Sequence, residues 1–211
     1  MRRLLCSFVL LMLFAVCCIG SASAAPSYAG YTGLLFVPSA ETLQEGELQL
    51  AAQSIDFDLG NFNGFSISYG ITDIWELGIA NATDGPGVMD GASLNSKYSI
   101  LQANDLFNLA AGIIIPLEDS STGLYGVISH ELRGTENQVV IHAGYGTGGI
   151  VDGFFAGVDA VLSPNLNAML EYDSNNLNAG ARYHFTERFS ATAGLFNLSN
   201  LGLQLAYLHS F

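Results

Sequence analysis

The residues of this chain that could perform chemistry are four histidines, the serines beside two of them and one glycine-rich run. The pairs Ser129-His130 and His209-Ser210 supply the residue types of a nucleophile and its general base. Neighbouring residues on a strand face opposite sides, so neither pair can make a nucleophile–base contact if it lies on a strand. The sequence therefore disfavours a serine hydrolase.

The sequence also gives little support for metal binding or for dinucleotide binding. The histidines lie far apart, so a metal site would have to be assembled across strands: His130, His142, His184 and His209. Residues 144–149 have the glycine spacing of a dinucleotide fingerprint, but that mechanism requires a helix N-terminus and nothing helical follows. We expect no cofactor, no metal and no enzymatic activity.

A third group with chemical potential is a set of titratable side chains on the polar phase of predicted strands. They are Glu76, Lys97, His142, Asp159, Glu171, Asp173, Arg182 and His184. In a barrel, such residues could line a conduit that selects solutes by charge. Alternatively, they could form salt bridges that fill a closed lumen. The excess of acid predicts that a conduit would favour neutral or cationic solutes.

The elements that would position these side chains are segments of about ten residues, rich in Val, Ile, Phe and Tyr and closed by turn formers. Roughly ten residues is the length that a tilted strand needs to cross a membrane. The segments are about twelve in number: 47–58, 64–71, 74–83, 93–102, 106–117, 123–133, 138–147, 152–163, 166–174, 177–186, 189–198 and 201–211.

Side-chain alternation along these segments predicts one apolar and one polar face. Phe65, Ile67 and Tyr69, for example, alternate with Ser66 and Ser68. The alternation slips over residues 54–57, which predicts either a bulge or a locally apolar lumen. Connections alternate between mostly short and generally longer, as expected for periplasmic turns and external loops.

Composition points to export and to a membrane. Half of the residues are hydrophobic and 12% are charged, against about 25% in ordinary domains. No run after the N-terminal region approaches the ~20 apolar residues of a membrane helix. A closed barrel is then the architecture that satisfies every backbone group in lipid. We predict an all-β, antiparallel up-and-down transmembrane β-barrel of about 12 strands in the bacterial outer membrane.

The N-terminus predicts secretion. Arg2 and Arg3 precede an apolar run, and Ala22-Ser23-Ala24 is a cleavage signature, so residues 1–24 are interpreted as a signal peptide. A lipoprotein signal is the alternative, although the small residue wanted before Cys17 or Cys18 is missing. All three cysteines of the chain lie in this segment. Residues 25–46 are interpreted as a lead-in or a plug, and residues 47–211 as the barrel.

Cleavage would remove Arg2 and Arg3 and take the formal charge from −13 to −15. Nucleic acid is therefore not an expected partner, since phosphate binding needs clustered Lys and Arg.

The C-terminal strand resembles the signal by which bacterial outer-membrane barrels are recognised for insertion. Gln204, Ala206 and Phe211 match that pattern, Tyr207 lies on the apolar phase, and His209 stands where an aromatic residue is expected. The resemblance implies outer-membrane lipid and the barrel assembly machinery as partners.

Two further stretches resemble the YjbH-like outer-membrane proteins associated with exopolysaccharide production. One is Gly30-Tyr-Thr-Gly33-Leu34 followed by Pro38-Ser39-Ala40; the other is residues 170–173 followed by residues 178–183. Members of that family are usually much longer. The resemblance implies a channel or accessory component of exopolysaccharide export or envelope biogenesis, with polysaccharide or envelope export proteins as partners. A structural barrel with a filled lumen and no transport activity is the alternative.

Deleting Phe211 should impair membrane insertion far more than Ser210→Ala does, because Phe211 carries the large apolar group of the terminal signal. The measurement is the folded, membrane-inserted fraction of each variant, read from the different gel mobility of unboiled and boiled protein. Normal insertion without Phe211 would reject the proposed signal.

Overall fold

The computed structural model describes residues 24–57, 60–83, 91–103, 107–118, 121–132, 138–149 and 151–211. The predicted signal peptide lies outside these residues apart from Ala24. Among the described residues, no helix is long and apolar enough to span a membrane.

Twelve antiparallel strands form in this part of the chain. They are β1 (Glu47–Phe57), β2 (Gly60–Thr72), β3 (Trp75–Thr83), β4 (Gly91–Ala103), β5 (Phe107–Pro116), β6 (Gly123–Leu132), β7 (Val139–Thr147), β8 (Gly153–Ser163), β9 (Leu166–Tyr172), β10 (Leu177–His184), β11 (Phe189–Phe196) and β12 (Asn200–Ser210). Each strand pairs with its successor, and β12 pairs with β1 to close the barrel. The predicted up-and-down barrel of about 12 strands is confirmed.

The closing pair runs over nine partnered residues, from Glu47 opposite Ser210 to Ile55 opposite Gly202. Closure leaves no strand edge, so each backbone ladder is satisfied within the sheet, as lipid requires. We call the end that carries Glu47 and Ser210 the turn end, and the opposite end the loop end. The β2–β3 and β8–β9 connections at the turn end have two residues each, which is typical of the periplasmic side.

Side chains alternate between a lumenal and an outer face. On β12, Gln204 and Ala206 are buried in the lumen while Leu203 and Leu205 are exposed on the outside, Leu205 to 65%. On β1, Ile55 is fully buried although Gln53, the preceding residue on the same face, is polar, and the β1–β2 register continues past Ile55 without a shift. The slip in alternation over residues 54–57 therefore reflects a locally apolar lumen and not a bulge.

Exposed aromatic residues lie near both ends of the outer surface, on several strands at the turn end and on the neighbouring strands β7, β8 and β9 at the loop end. Those toward the turn end are Tyr69, Trp75, Tyr98, Phe107, Tyr183, Phe185 and Phe189; those toward the loop end are Tyr145, Phe154 and Tyr172. Aromatic girdles that flank an apolar band are the signature of a barrel seated in a bilayer.

The position of the barrel in the membrane predicts how a charged substitution on the outer face changes stability. Leu205→Arg should destabilise the barrel by ~2–4 kcal/mol in lipid vesicles, because Leu205 lies in the middle of β12 and faces outward. At an exposed site of a water-soluble protein, the same substitution changes the free energy of unfolding by no more than about 0.5 kcal/mol. Urea unfolding in vesicles measures the difference, with Ser210→Arg at the turn end as the matched control. Equal, small effects of the two variants would contradict a lipid-facing Leu205.

Candidate functional site

The lumen of the barrel is occupied by the N-terminal part of the chain. Every residue from 25 to 40 is buried, and Thr42 and Leu43 are buried as well. We call residues 25–43 the plug. It begins at the turn end, where Ala24 lies against Gln49, and it returns to that end before β1 starts.

The plug is a compact, mostly irregular fold held by short-range bonds and by two glycines. Pro26 pairs with Thr32 and Gly33 with Pro38 through isolated bridges. Gly30 has a φ of +89°, and a Cβ there would lie 2.8 Å from the Cβ of Ala80. A Cβ on Gly33 would lie 2.4 Å from the carbonyl oxygen of residue 37. Only glycine fits at either position.

Glu171 on β9 is the strongest single anchor of the plug. Its carboxylate accepts hydrogen bonds from the backbone N–H groups of Leu35 (3.0 Å), Phe36 (2.8 Å) and Val37 (3.0 Å). The side-chain amide of Asn178 donates a fourth bond at 3.0 Å. A carboxylate that gathers consecutive backbone amides in a buried site forms charge-assisted bonds, which are about twice as strong as neutral ones.

A second anchor combines Glu76 on β3 with Lys97 on β4, which pair at 3.4 Å between Nζ and Oε1. Glu76 accepts from the backbone N–H of Thr32 at 3.1 Å and of Leu43 at 3.0 Å. Lys97 donates to the carbonyl oxygens of Thr32 (2.9 Å) and Ser39 (3.1 Å), and its Nζ also contacts the Thr32 hydroxyl. This buried ion pair is thus satisfied by the main chain of the plug.

Arg182 on β10 completes the charged anchors. One guanidinium nitrogen, Nη2, donates to the carbonyl oxygens of Pro26 (3.0 Å), Gly33 (3.2 Å) and Leu34 (3.1 Å). Its Nε donates to the Thr192 hydroxyl at 3.1 Å, which fixes the side chain against β11. The guanidinium ties together the two ends of the Pro26–Thr32 turn.

Neutral side chains of β1, β2 and β12 donate to further plug carbonyls. The bonds are Gln49 to Ala24 (3.2 Å), Gln53 to Tyr28 (3.1 Å), Gln204 to Ser27 (3.0 Å) and Ser68 to Gly30 (2.6 Å). The wall therefore holds the plug chiefly through backbone atoms, from almost every side of the barrel.

Toward the loop end the lumen is apolar. Tyr28 and Phe36 of the plug pack on Phe196, with ring centroids 4.9 Å and 4.7 Å apart, and Tyr31 packs on Tyr125 at 5.4 Å. Burial raises the pKa of the Tyr31 phenol well above its usual value, and the nearby Glu171 carboxylate adds to the effect. Tyr31 is consequently neutral at physiological pH, and the apolar packing of the plug does not depend on its ionisation.

The structure places the eight titratable residues predicted from the sequence in three settings. Glu76, Lys97, Glu171 and Arg182 contact the plug. Asp173 is buried but accepts from the N–H groups of Asn175 (3.1 Å) and Asn176 (2.8 Å), so it orders the β9–β10 connection. Asp159 accepts from Asn167 at 3.1 Å, and His184 is half-buried near the turn end.

His142, the remaining residue of that set, forms a pair that sequence reasoning missed. Its Nδ1 lies 2.8 Å from the hydroxyl of Ser129, because β6 and β7 place the two residues directly opposite each other. The Ser129 hydroxyl also accepts the backbone N–H of Ala40 at 2.8 Å. Both side chains are buried beneath the plug. The pair has the composition of a catalytic dyad, but in this position it is a further anchor of the plug.

Little space remains between plug and wall. A cavity of about 30 Å³ lies beside Ser39, His142 and Arg182, and another of about 30 Å³ lies beside Tyr28 and Phe62. Each is large enough to hold a water molecule. In the described part of the chain, no group of three or more His, Cys, Asp or Glu residues is placed to hold a metal ion.

No protein-family model matches the sequence, and the curated proteins include no significant match. Solved structures do share the fold. A KdgM porin matches with a TM-score of 0.52 and 13% identity, over 77% of this chain and 99% of that one. The outer membrane protein Omp33 of Acinetobacter baumannii (TM-score 0.50, 11% identity, 79% and 99% covered) and a NanC porin (TM-score 0.50, 10% identity, 78% and 99% covered) are also similar.

At these identities the likeness concerns the fold alone. The described residues form a closed barrel of 12 strands, and its fold is similar to the folds of these outer-membrane proteins.

Glu171→Gln should loosen the plug. The substitution removes the charge and places an N–H donor against plug amides that need an acceptor. Each buried group left without a hydrogen bond lowers the stability of the fold by about 1–3 kcal/mol. We expect residues 25–43 to become sensitive to protease in detergent-solubilised barrel. Asp173→Asn is the matched control, since Asp173 is also buried but contacts the β9–β10 connection. Equal protection of the plug in both variants would contradict the anchoring role of Glu171.

Proposed function

We propose that this protein is an outer-membrane β-barrel whose own N-terminal plug seals the lumen, so that the folded protein does not conduct solutes at rest. The observation that carries the proposal is the set of buried ions that bind the plug main chain. Glu171, Arg182 and the Glu76–Lys97 pair together fix the plug along its whole length.

Three observations support the outer-membrane location. The outer face carries exposed large apolar side chains on every strand and exposed aromatic residues toward both ends. The fold is similar to those of outer-membrane porins. The sequence predicts a signal peptide and a terminal strand suited to the barrel assembly machinery. The mode of action that we propose is binding or passage of a solute.

The charged residues of the wall can act both when the lumen is closed and when it is open. In the closed state, Glu76, Lys97, Glu171 and Arg182 satisfy buried main-chain groups of the plug. If the plug is displaced, the same four side chains line a hydrated conduit, as charged residues do in pores. The charges therefore fit a lumen that is open part of the time.

A saccharide is the class of solute that best fits such a conduit, because sugar hydroxyls both donate and accept hydrogen bonds, as the plug backbone does. The similar KdgM porin has a structure in complex with disordered oligogalacturonate. The resemblance to YjbH-like proteins likewise implies exopolysaccharide export or envelope biogenesis. Both considerations support saccharide passage, which stays a prediction.

Conductance in planar bilayers tests closure and gating together. The chain from residue 25 onward should be silent, whereas Gly30→Val should produce conducting steps, because a side chain there collides with Ala80 and Ser66 and is strained at positive φ. Gly126→Val is the matched control: an added Cβ at Gly126 meets no atom within 4 Å.

Two outcomes would overturn parts of the proposal. Steady conductance of the unsubstituted chain would reject closure by the plug. A correctly folded barrel lacking residues 25–43 that remains silent would reject gating and leave a structural barrel.

A further inference from the structure

The first residues of the plug lie in a confined place at the turn end of the lumen. Ala25 is buried, with 7% of its surface exposed, whereas Ala24 before it is half-buried. Both residues line the cavity of about 30 Å³ beside His142, and both also line a second cavity of about 20 Å³ beside Gln49. The peptide bond between Ala24 and Ala25 therefore lies between two small cavities, where the plug meets the wall.

This peptide bond is the one that removal of the predicted signal peptide would break. Hydrolysis consumes one water molecule, leaves a carboxylate on the departing segment and gives Ala25 a protonated α-amino group. The new cation would then stand at a position where the plug is buried, and burial of an unpaired charge is costly. Such an amine needs acceptors in the wall.

Gln49 on β1 offers one acceptor. Its Nε2 donates to the carbonyl oxygen of Ala24 at 3.2 Å, and the carbon of that carbonyl is bonded to the Ala25 nitrogen. Gln49 is buried, and its Oε1 has no hydrogen-bond partner among the residues that the structure describes. Departure of Ala24 would free Nε2, so that the side-chain amide could turn Oε1 toward the new α-amino group and relieve the unpaired acceptor.

The cavity of about 30 Å³ offers negative charge. Four titratable side chains line it: Glu41, His142, Asp159 and Arg182. Arg182 already donates to three carbonyl oxygens of the plug, and His142 is bonded to Ser129. Asp159 has a neutral partner, the side-chain amide of Asn167, at 3.1 Å. Two carboxylates face one guanidinium here, so a further cation would balance the charge of the cavity.

We propose that the wall binds the α-ammonium group of mature Ala25 between Gln49 and the carboxylates of Glu41 and Asp159, so that removal of the signal peptide completes the closed plug. The site adds to the proposed closure of the lumen, on which it rests together with the predicted cleavage after Ala24. A chain that keeps a few residues of the signal peptide carries its terminal charge out of the cavity and holds the plug less firmly.

Amine labelling reads the site directly, because the chain has a single lysine, Lys97. Lys97 is fully buried, so an amine-reactive reagent that acts on the folded barrel reports on the α-amino group. Intact mass first establishes whether the exported chain begins at Ala25. The folded protein in detergent should then take up no label in a period in which the unfolded protein is labelled at both amines. A refolded chain that begins at Ser23 should be labelled at its N-terminus.

Asp159→Asn should speed labelling of the α-amino group by about tenfold, the effect of losing one charge-assisted hydrogen bond. Asp152→Asn is the matched control, because the Asp152 carboxylate accepts the backbone N–H of Gly148 at the loop end. Labelling of this control should stay as slow as in the unsubstituted protein.

Rapid labelling of the α-amino group in the folded, unsubstituted protein would overturn the site. Equal labelling rates in Asp159→Asn and Asp152→Asn would overturn the carboxylate contact, and an exported chain that begins elsewhere than at Ala25 would overturn the whole proposal. Bilayer conductance separates the site from closure by the plug. A silent barrel with a freely labelled amine rejects the amine site alone, whereas a conducting unsubstituted barrel rejects closure.

Discussion

The structure depends on one constraint: a main chain buried away from water must have its N–H and C=O groups hydrogen-bonded. The barrel meets it by closing β1 on β12, which leaves no edge. The plug cannot meet it by itself, because apart from two isolated bridges and a few turn bonds it is irregular. Many of its other backbone groups bond to the wall, with carboxylates at the amides and cationic or amide side chains at the carbonyls.

This division explains where the charges of the lumen lie. The plug exposes amides at residues 35–37 and Glu171 meets them, whereas its carbonyls at Pro26, Gly33 and Leu34 are met by Arg182. Each of the four ions that hold the plug, Glu76, Lys97, Glu171 and Arg182, has main-chain partners. Removing one leaves buried groups unpaired, which costs more free energy of folding than the ion contributes in net stability. The conformation of the plug and the charged residues of the wall therefore depend on each other. Apolar packing around Phe196 closes the loop end of the lumen.

The barrel could be predicted from the sequence because its signals are local. Alternation and turn residues located all twelve strands, with differences only at their ends; the second strand, for example, was expected over 64–71 and spans Gly60–Thr72. The lumen could not be predicted in the same way. The contact between Glu171 and Leu35 joins residues 136 positions apart, and the Ser129–His142 pair follows from strand register. Sequence periodicity assigns a side chain to a face but not to its partner. The close spacing of Gly30 and Gly33 was the one local sign that this segment must pack tightly.

The two stretches from which we predicted a resemblance to YjbH-like proteins bind each other in the structure. The first, from Gly30 to Ala40, forms most of the plug, and its glycines are those that admit no Cβ. The second contains Glu171, Asn178 and Arg182, which bind the first stretch or one another. Far apart in sequence, the two stretches form one hydrogen-bonded unit of plug and receptor. A chain that lost the plug but kept the barrel would leave the lumenal partners of the plug main chain unpaired, so the two stretches depend on each other and on the closure of the lumen.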